Sequence, residues 1–102
     1  MKYHGHPKFY ELLNKMRDIH SAKNHDYAKE GDPLSNLRLT ETLGWLEGWK
    51  SIIVRLGDKY SRLLNFAKKG RLEVKDESFI DTCVDMANYA LLCAILFEEA
   101  KK

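Results

Sequence analysis

The sequence predicts an all-α protein, an antiparallel helical bundle dominated by two long C-terminal helices. Apolar residues recur at three- and four-residue intervals over long stretches, which is the period of a helix with one covered face. No convincing strand pattern of strict alternation competes with it. The only two prolines, Pro7 and Pro33, fall where helices are expected to begin or end. Four helices in one layer system make the class all-α.

The first helix is expected over Pro7–Lys23. Pro7 suits a first turn, where its missing N–H costs nothing. Phe9, Leu12, Leu13, Met16 and Ile19 then repeat along one side. The stretch from Asn24 to Pro33 is rich in turn formers and reads as a loop of about ten residues, long enough to suggest a functional role. Ser35 or Asn36 is placed to cap a short helix through Leu43, closed by Gly44. Trp45 to Lys69 reads as a long helix with Ile52, Ile53, Leu56, Tyr60, Leu63, Leu64 and Ala67 on one side, and Gly70 ends it. The last helix is expected to start near Lys75 or Asp76, where Asp76 and Glu77 suit the positive end of the helix dipole. Arg71 to Val74 reads as a linker.

With 102 residues the chain has room for one domain, taken as residues 1–102. The balance of 17 basic against 15 acidic residues, interleaved, argues against bulk attraction to nucleic acid. Cys83 and Cys93 are ten residues apart on one helix, about 15 Å along its axis, so they cannot bridge and are expected as buried reduced thiols. The N-terminal residues have no apolar stretch like a signal peptide, and the longest apolar run, Ala90 to Phe97, is short for a membrane span. A cytoplasmic protein without membrane contact is expected. Ala90 to Phe97 is apolar on every side, and together with Trp45 and Trp49 it suggests a homo-oligomer.

The most informative polar feature is Glu77, Asp81, Asp85 and Asn88 on the last helix. At about 100° per residue these four fall within one sector of roughly 80°. Like charges one turn apart repel, so such a stripe needs something to neutralise it. Arg55, Asp58, Lys59 and Arg62 share a face of the preceding helix and are the natural partners. Two outcomes follow from these residue types. The basic groups neutralise the acids in an ion-pair network, or the acids hold Mg2+ through carboxylate oxygens while the basic groups bind phosphate.

In the expected loop, Lys23, His25, Asp26 and Tyr27 are placed to close over a ligand, Tyr27 stacking on a base and Lys23 meeting phosphate. The alternative is that Asn24 and Asp26 make turn hydrogen bonds only. Asn36 reads as a helix cap or as an amide that reads a base. Trp45 and Trp49 read as core or interface anchors, and the four scattered histidines show no zinc spacing.

Three segments carry a resemblance: Lys23-Asn24-His25-Asp26-Tyr27-Ala28 with Pro33-Leu34-Ser35-Asn36; Arg55-Leu56-Gly57-Asp58-Lys59-Tyr60-Ser61-Arg62-Leu63; and Val74-Lys75-Asp76-Glu77-Ser78 with Asp81-Thr82 and Asp85-Met86-Ala87-Asn88-Tyr89-Ala90. In order and spacing they resemble the nucleotide modification associated domain family of bacteriophage and bacterial proteins. That family is itself reminiscent of the MazG-like all-α nucleoside triphosphate pyrophosphohydrolases. The resemblance implies a Mg2+-dependent nucleotide pyrophosphohydrolase of oligomeric bundle architecture. Asp58, Asp81 and Asp85 would be catalytic and, with Glu77, hold the metal. Lys23, His25, Asp26, Tyr27, Asn36, Arg55, Lys59, Arg62, Asn88 and Tyr89 would bind the nucleotide. Where the MazG pattern has paired glutamates, this chain has Arg55 and Arg62 around Asp58. That difference implies an alternative: a protein that binds and sequesters a nucleotide, such as a signalling nucleotide, without cleaving it.

Overall fold

The computed structural model describes residues 3–28, 31, 34–70 and 78–101. Helix α1 spans Pro7–Tyr27, a 3-10 turn over Ser35–Arg38 runs into the short α2 (Leu39–Thr42), and the long α3 (Gly48–Lys69) and α4 (Phe79–Ala100) follow. No strand occurs among the described residues. The helical class is therefore as the sequence predicts.

Pro7 opens α1, and the His6 ring accepts from the Lys8 N–H at 3.0 Å as its N-cap. The helix does not stop at Lys23. It continues to Tyr27, so the expected loop over Asn24–Pro33 is wrong in its first four residues. No glycine or proline interrupts Asn24 to Tyr27, and the Ala28 N–H still reaches the Asn24 carbonyl at 3.0 Å before the chain turns extended. An unbroken backbone ladder outweighs the turn-forming side chains.

The chain after α2 also differs. Gly44 adopts φ +75°, which favours glycine, and the Trp45 N–H turns back to the Thr40 carbonyl at 2.9 Å. Trp45 thus lies before α3 and is 76 % exposed, not a helical core anchor. Helix α3 begins at Gly48, whose N–H donates to Glu41 Oε1 at 2.6 Å. Gly48 is buried, and a Cβ there would sit 3.2 Å from the Leu37 carbonyl oxygen. Gly70 ends α3 in the left-handed region, as expected from sequence. The start of α4 is fixed by a reciprocal capping box: the Asp81 N–H donates to Ser78 Oγ at 3.0 Å, and the Ser78 N–H donates to the Asp81 carboxylate. Ser78 itself is extended, so α4 starts at Phe79, not near Lys75 or Asp76, and those two residues lie outside the described ones, as do Arg71 to Val74.

Helices α3 and α4 pack antiparallel. Phe66 meets Phe79 with ring centroids 4.9 Å apart at one end, and Trp49 meets Phe97 at 5.3 Å at the other. Between them Ile52 is completely covered, beside Leu34, Leu37 and Leu96. Trp49, Leu56, Tyr89, Leu92 and Cys93 close around that cluster, and the Cys93 thiol donates to the Trp49 carbonyl at 3.4 Å. Thus Trp49 serves the core as expected. Helix α1 lies along α4 in the same direction, Lys15 meeting Asp81 and Lys23 meeting Asp85. The Arg38 guanidinium ties the turn to Glu99 near the end of α4. Cys83 and Cys93 are unbridged, but Cys83 is exposed, contrary to the expectation of two buried thiols. The apolar run Ala90 to Phe97 is not covered all round either: Leu96 is buried while Leu91, Ile95 and Phe97 are exposed.

Candidate functional site

The acidic side of α4 is turned towards cations. Asp81 receives Lys15 of α1 at 2.9 Å, and this hydrogen bond, with those from Ser78, holds its carboxyl below the ordinary aspartate range. One turn on, Asp85 stands between Lys23 of α1 at 3.4 Å and Lys59 of α3 at 3.0 Å. The Asp85 and Lys59 side chains are each only 16 % exposed. Lys59 of α3 is a partner as expected, and lysines of α1 join it. Lys15 and Lys23, about two turns apart on α1, are the sequence signal that points to this second source of cations.

Beside the Asp85 cluster is a cleft of about 110 Å³. Helix α1 contributes His20, Lys23, Asn24 and Tyr27 to its wall; the 3-10 turn contributes Asn36 and Leu37; Arg55 comes from α3, and Tyr89 with Leu92 from α4. Because α1 runs on to Tyr27, the helix itself delivers this wall. The Arg55 guanidinium lies 5.9 Å from the centre of the Tyr89 ring, within cation–π reach. The Asn36 Oδ1 atom is buried and finds no hydrogen-bond partner among the described residues. An unmet buried acceptor costs about 1–3 kcal/mol.

The structure therefore brings together Lys23, Tyr27, Asn36, Arg55 and Tyr89, with Lys59 adjoining through Asp85. It adds His20, which lies in none of the quoted segments, and Asn24, which the sequence marks only as a turn former. His25 and Asp26 are exposed and pair with each other at 3.4 Å, outside the cleft wall. Asn88 lines a separate apolar groove with Leu91 and Ile95. Asp58 and Arg62 are exposed on α3, and Glu77 lies outside the described residues. Among the described residues, no three His, Cys, Asp or Glu side chains converge as a metal would require. With lysines on both Asp81 and Asp85, the described side chains do not by themselves make a cage for Mg2+.

The charge in the cleft favours an anion. Lys23 and Arg55 stand in its wall, and no carboxylate lines it among the described residues. Asp85, beside it, is shared between Lys23 and Lys59. Arginine presents a planar fork and lysine a point charge, both suited to phosphate oxygens. Comparison of the chain with protein-family models, with characterised proteins and with solved structures found no match.

Proposed function

We propose that the cleft binds a nucleotide. The observation that carries this is the juxtaposition, around one small cleft, of two cations, two tyrosine rings and the Asn36 amide. A base stacked on Tyr27 or Tyr89 would meet Asn36, an amide with both donor and acceptor capacity. Its phosphates would lie towards Lys23 and Arg55, with Lys59 behind. The resemblance to the nucleotide modification associated family, which rests on many of the same residues, points the same way. In this reading the protein sequesters its ligand, as a nucleotide sponge in a phage-infected cell would.

Thermal denaturation with a panel of nucleoside mono-, di- and triphosphates and cyclic nucleotides, in excess chelator, tests the proposal. A ligand at about 100 times its Kd adds roughly 2.7 kcal/mol, which raises the midpoint of a domain this small by on the order of 10 °C. If no nucleotide shifts the midpoint, the proposal is wrong. Mg2+-dependent hydrolysis to a monophosphate and pyrophosphate is a second reading, favoured by Asp81 and Asp85 standing one turn apart on α4, with Asp85 reaching Lys23 of the cleft wall. It requires an ion to displace lysines from both carboxylates. Pyrophosphate release in Mg2+ from any triphosphate in the panel would establish it, and recovery of every ligand intact would exclude it.

A further inference from the structure

We propose that His20 closes the phosphate end of the cleft and binds the phosphate as an imidazolium, so that the ligand and one proton bind together. This deepens the nucleotide reading: it rests on that reading for the identity of the ligand, and on the cleft's own geometry for the anion. Four residues of α1 stand in the cleft wall: His20, Lys23, Asn24 and Tyr27. Their spacing puts them on one side of the helix, over about 10 Å of its length. Lys23 lies between the other two groups that would touch a ligand, one turn after His20 and one turn before Tyr27. A base stacked on Tyr27 with its phosphate on Lys23 therefore directs that phosphate towards His20.

His20 is half-buried, and its ring forms no hydrogen bond or ion pair among the described residues. The charged groups around it are of one sign. On α1, Lys23 shares its wall, and Arg17 stands on its other side, where His20 also edges an apolar groove. Arg55 reaches the cleft from α3. Helix α4 presents Tyr89 and the uncharged Asn88, and the 3-10 turn presents Asn36 and Leu37. Asp85 does not line the wall and is shared by Lys23 and Lys59. An imidazolium here has no carboxylate in the wall to pair with, whereas a phosphate would supply the counter-charge to all three cations of the wall. Histidine is the side chain that ordinarily changes charge near neutral pH, so a single proton can follow the ligand in and out.

Nuclear magnetic resonance of the full chain tests this. The ring C–H signals of the four histidines are followed from about pH 8 to about pH 5. The series is run without ligand, with excess inorganic sulfate, and with cyclic and linear adenosine and guanosine monophosphates. Sulfate is a phosphate-shaped dianion whose own charge is constant over that range. His20→Gln, which keeps an N–H donor but cannot gain a charge, assigns the His20 signal. The ligand should raise the titration midpoint of His20 by about one pH unit and leave those of His4 and His6 in place. A ring that holds its proton more tightly in the complex makes binding tighter at low pH, and the gain is lost as pH rises through the midpoint of the complex. Wild-type affinity for sulfate should therefore rise about tenfold as pH falls over the series, while that of His20→Gln stays flat. If sulfate and the nucleotides all leave the His20 titration in place, the inference is overturned. A nucleotide that raises the thermal midpoint while His20 titrates as before overturns the inference and leaves the nucleotide reading standing. A His20 midpoint raised by sulfate alone upholds the anion site and counts against the nucleotide reading instead. Should His20→Gln fail to fold, the wild type still decides, because replacing the exposed His4, His6 and His25 by glutamine assigns His20 by elimination.

Discussion

At Asp85 two ammonium groups meet one carboxylate, which shares its single charge between them. Asp85→Asn keeps the shape and removes that charge from beside the largely covered Lys59. The expected cost is about 1–3 kcal/mol of stability in the absence of ligand. A bound phosphate would then replace the lost anion, so the variant should gain more from nucleotide than the wild type does. Midpoints measured with and without nucleotide check both parts, and a variant that binds more weakly in excess chelator would contradict the proposed role. Hydrolysis through Asp85 predicts the opposite sign for function, with turnover abolished. Asp81 supplies a pH dependence. Its carboxyl titrates below the ordinary range, first through Lys15 and then through Ser78. A lowered folded value means that its stabilisation is complete above the unfolded value and disappears as pH falls through the folded one. Acid melts below about pH 4 should therefore be shallower for Asp81→Asn than for the wild type. Identical acid slopes would show that the Lys15 contact contributes nothing.

Helix α3 shows how the same residue type acts in opposite ways within one element. Gly57 is exposed in the helix interior, and nothing lies within 4 Å of the place a Cβ would take, so Gly57→Ala should add roughly 0.5–1 kcal/mol through backbone entropy. Gly48 sits at the first turn, against the Leu37 carbonyl and the Glu41 carboxylate. There the helix gain is set against a contact tighter than van der Waals spacing allows, so Gly48→Ala should fall below Gly57→Ala in stability. Chemical denaturation of the two variants side by side measures the difference, and equal midpoints would refute it. Element existence and type are legible in the sequence because three-and-four periodicity is strong over α1, α3 and α4, and Gly70 marks a real stop. Boundaries are less so. Turn-prone side chains at Asn24 and Asp26 suggest a break that the backbone does not make, and the contact placing Gly48 comes from Glu41, seven residues away. The capping box at Ser78 and Asp81 is written in the sequence, but the acids just upstream compete with it as a helix start. At the site, Lys23, Asn24, Tyr27, Asn36, Arg55 and Tyr89 all belong to the segments of the family resemblance, whereas His20 lies outside them and is placed by α1 alone.

The whole molecule is thin for its length. Its buried apolar residues among the described ones are Leu34, Leu37, Ile52, Val84 and Leu96, and large side chains remain exposed on more than one helix. Burying apolar surface is worth about 25 cal/mol per Å², and a core this small offsets little of the chain entropy lost on ordering roughly a hundred residues. Self-association over the apolar face of α4, expected from the run Ala90 to Phe97, would remove residues such as Leu91 and Ile95 from water and supply the missing burial. Folding and association then become one equilibrium, and the midpoint of thermal unfolding must rise with protein concentration. The expected result is a steady upward shift over a hundredfold concentration series. A wild-type midpoint that stays constant over that range would mean the lone chain is stable with its apolar face in water, and the link between this face and folding would fail.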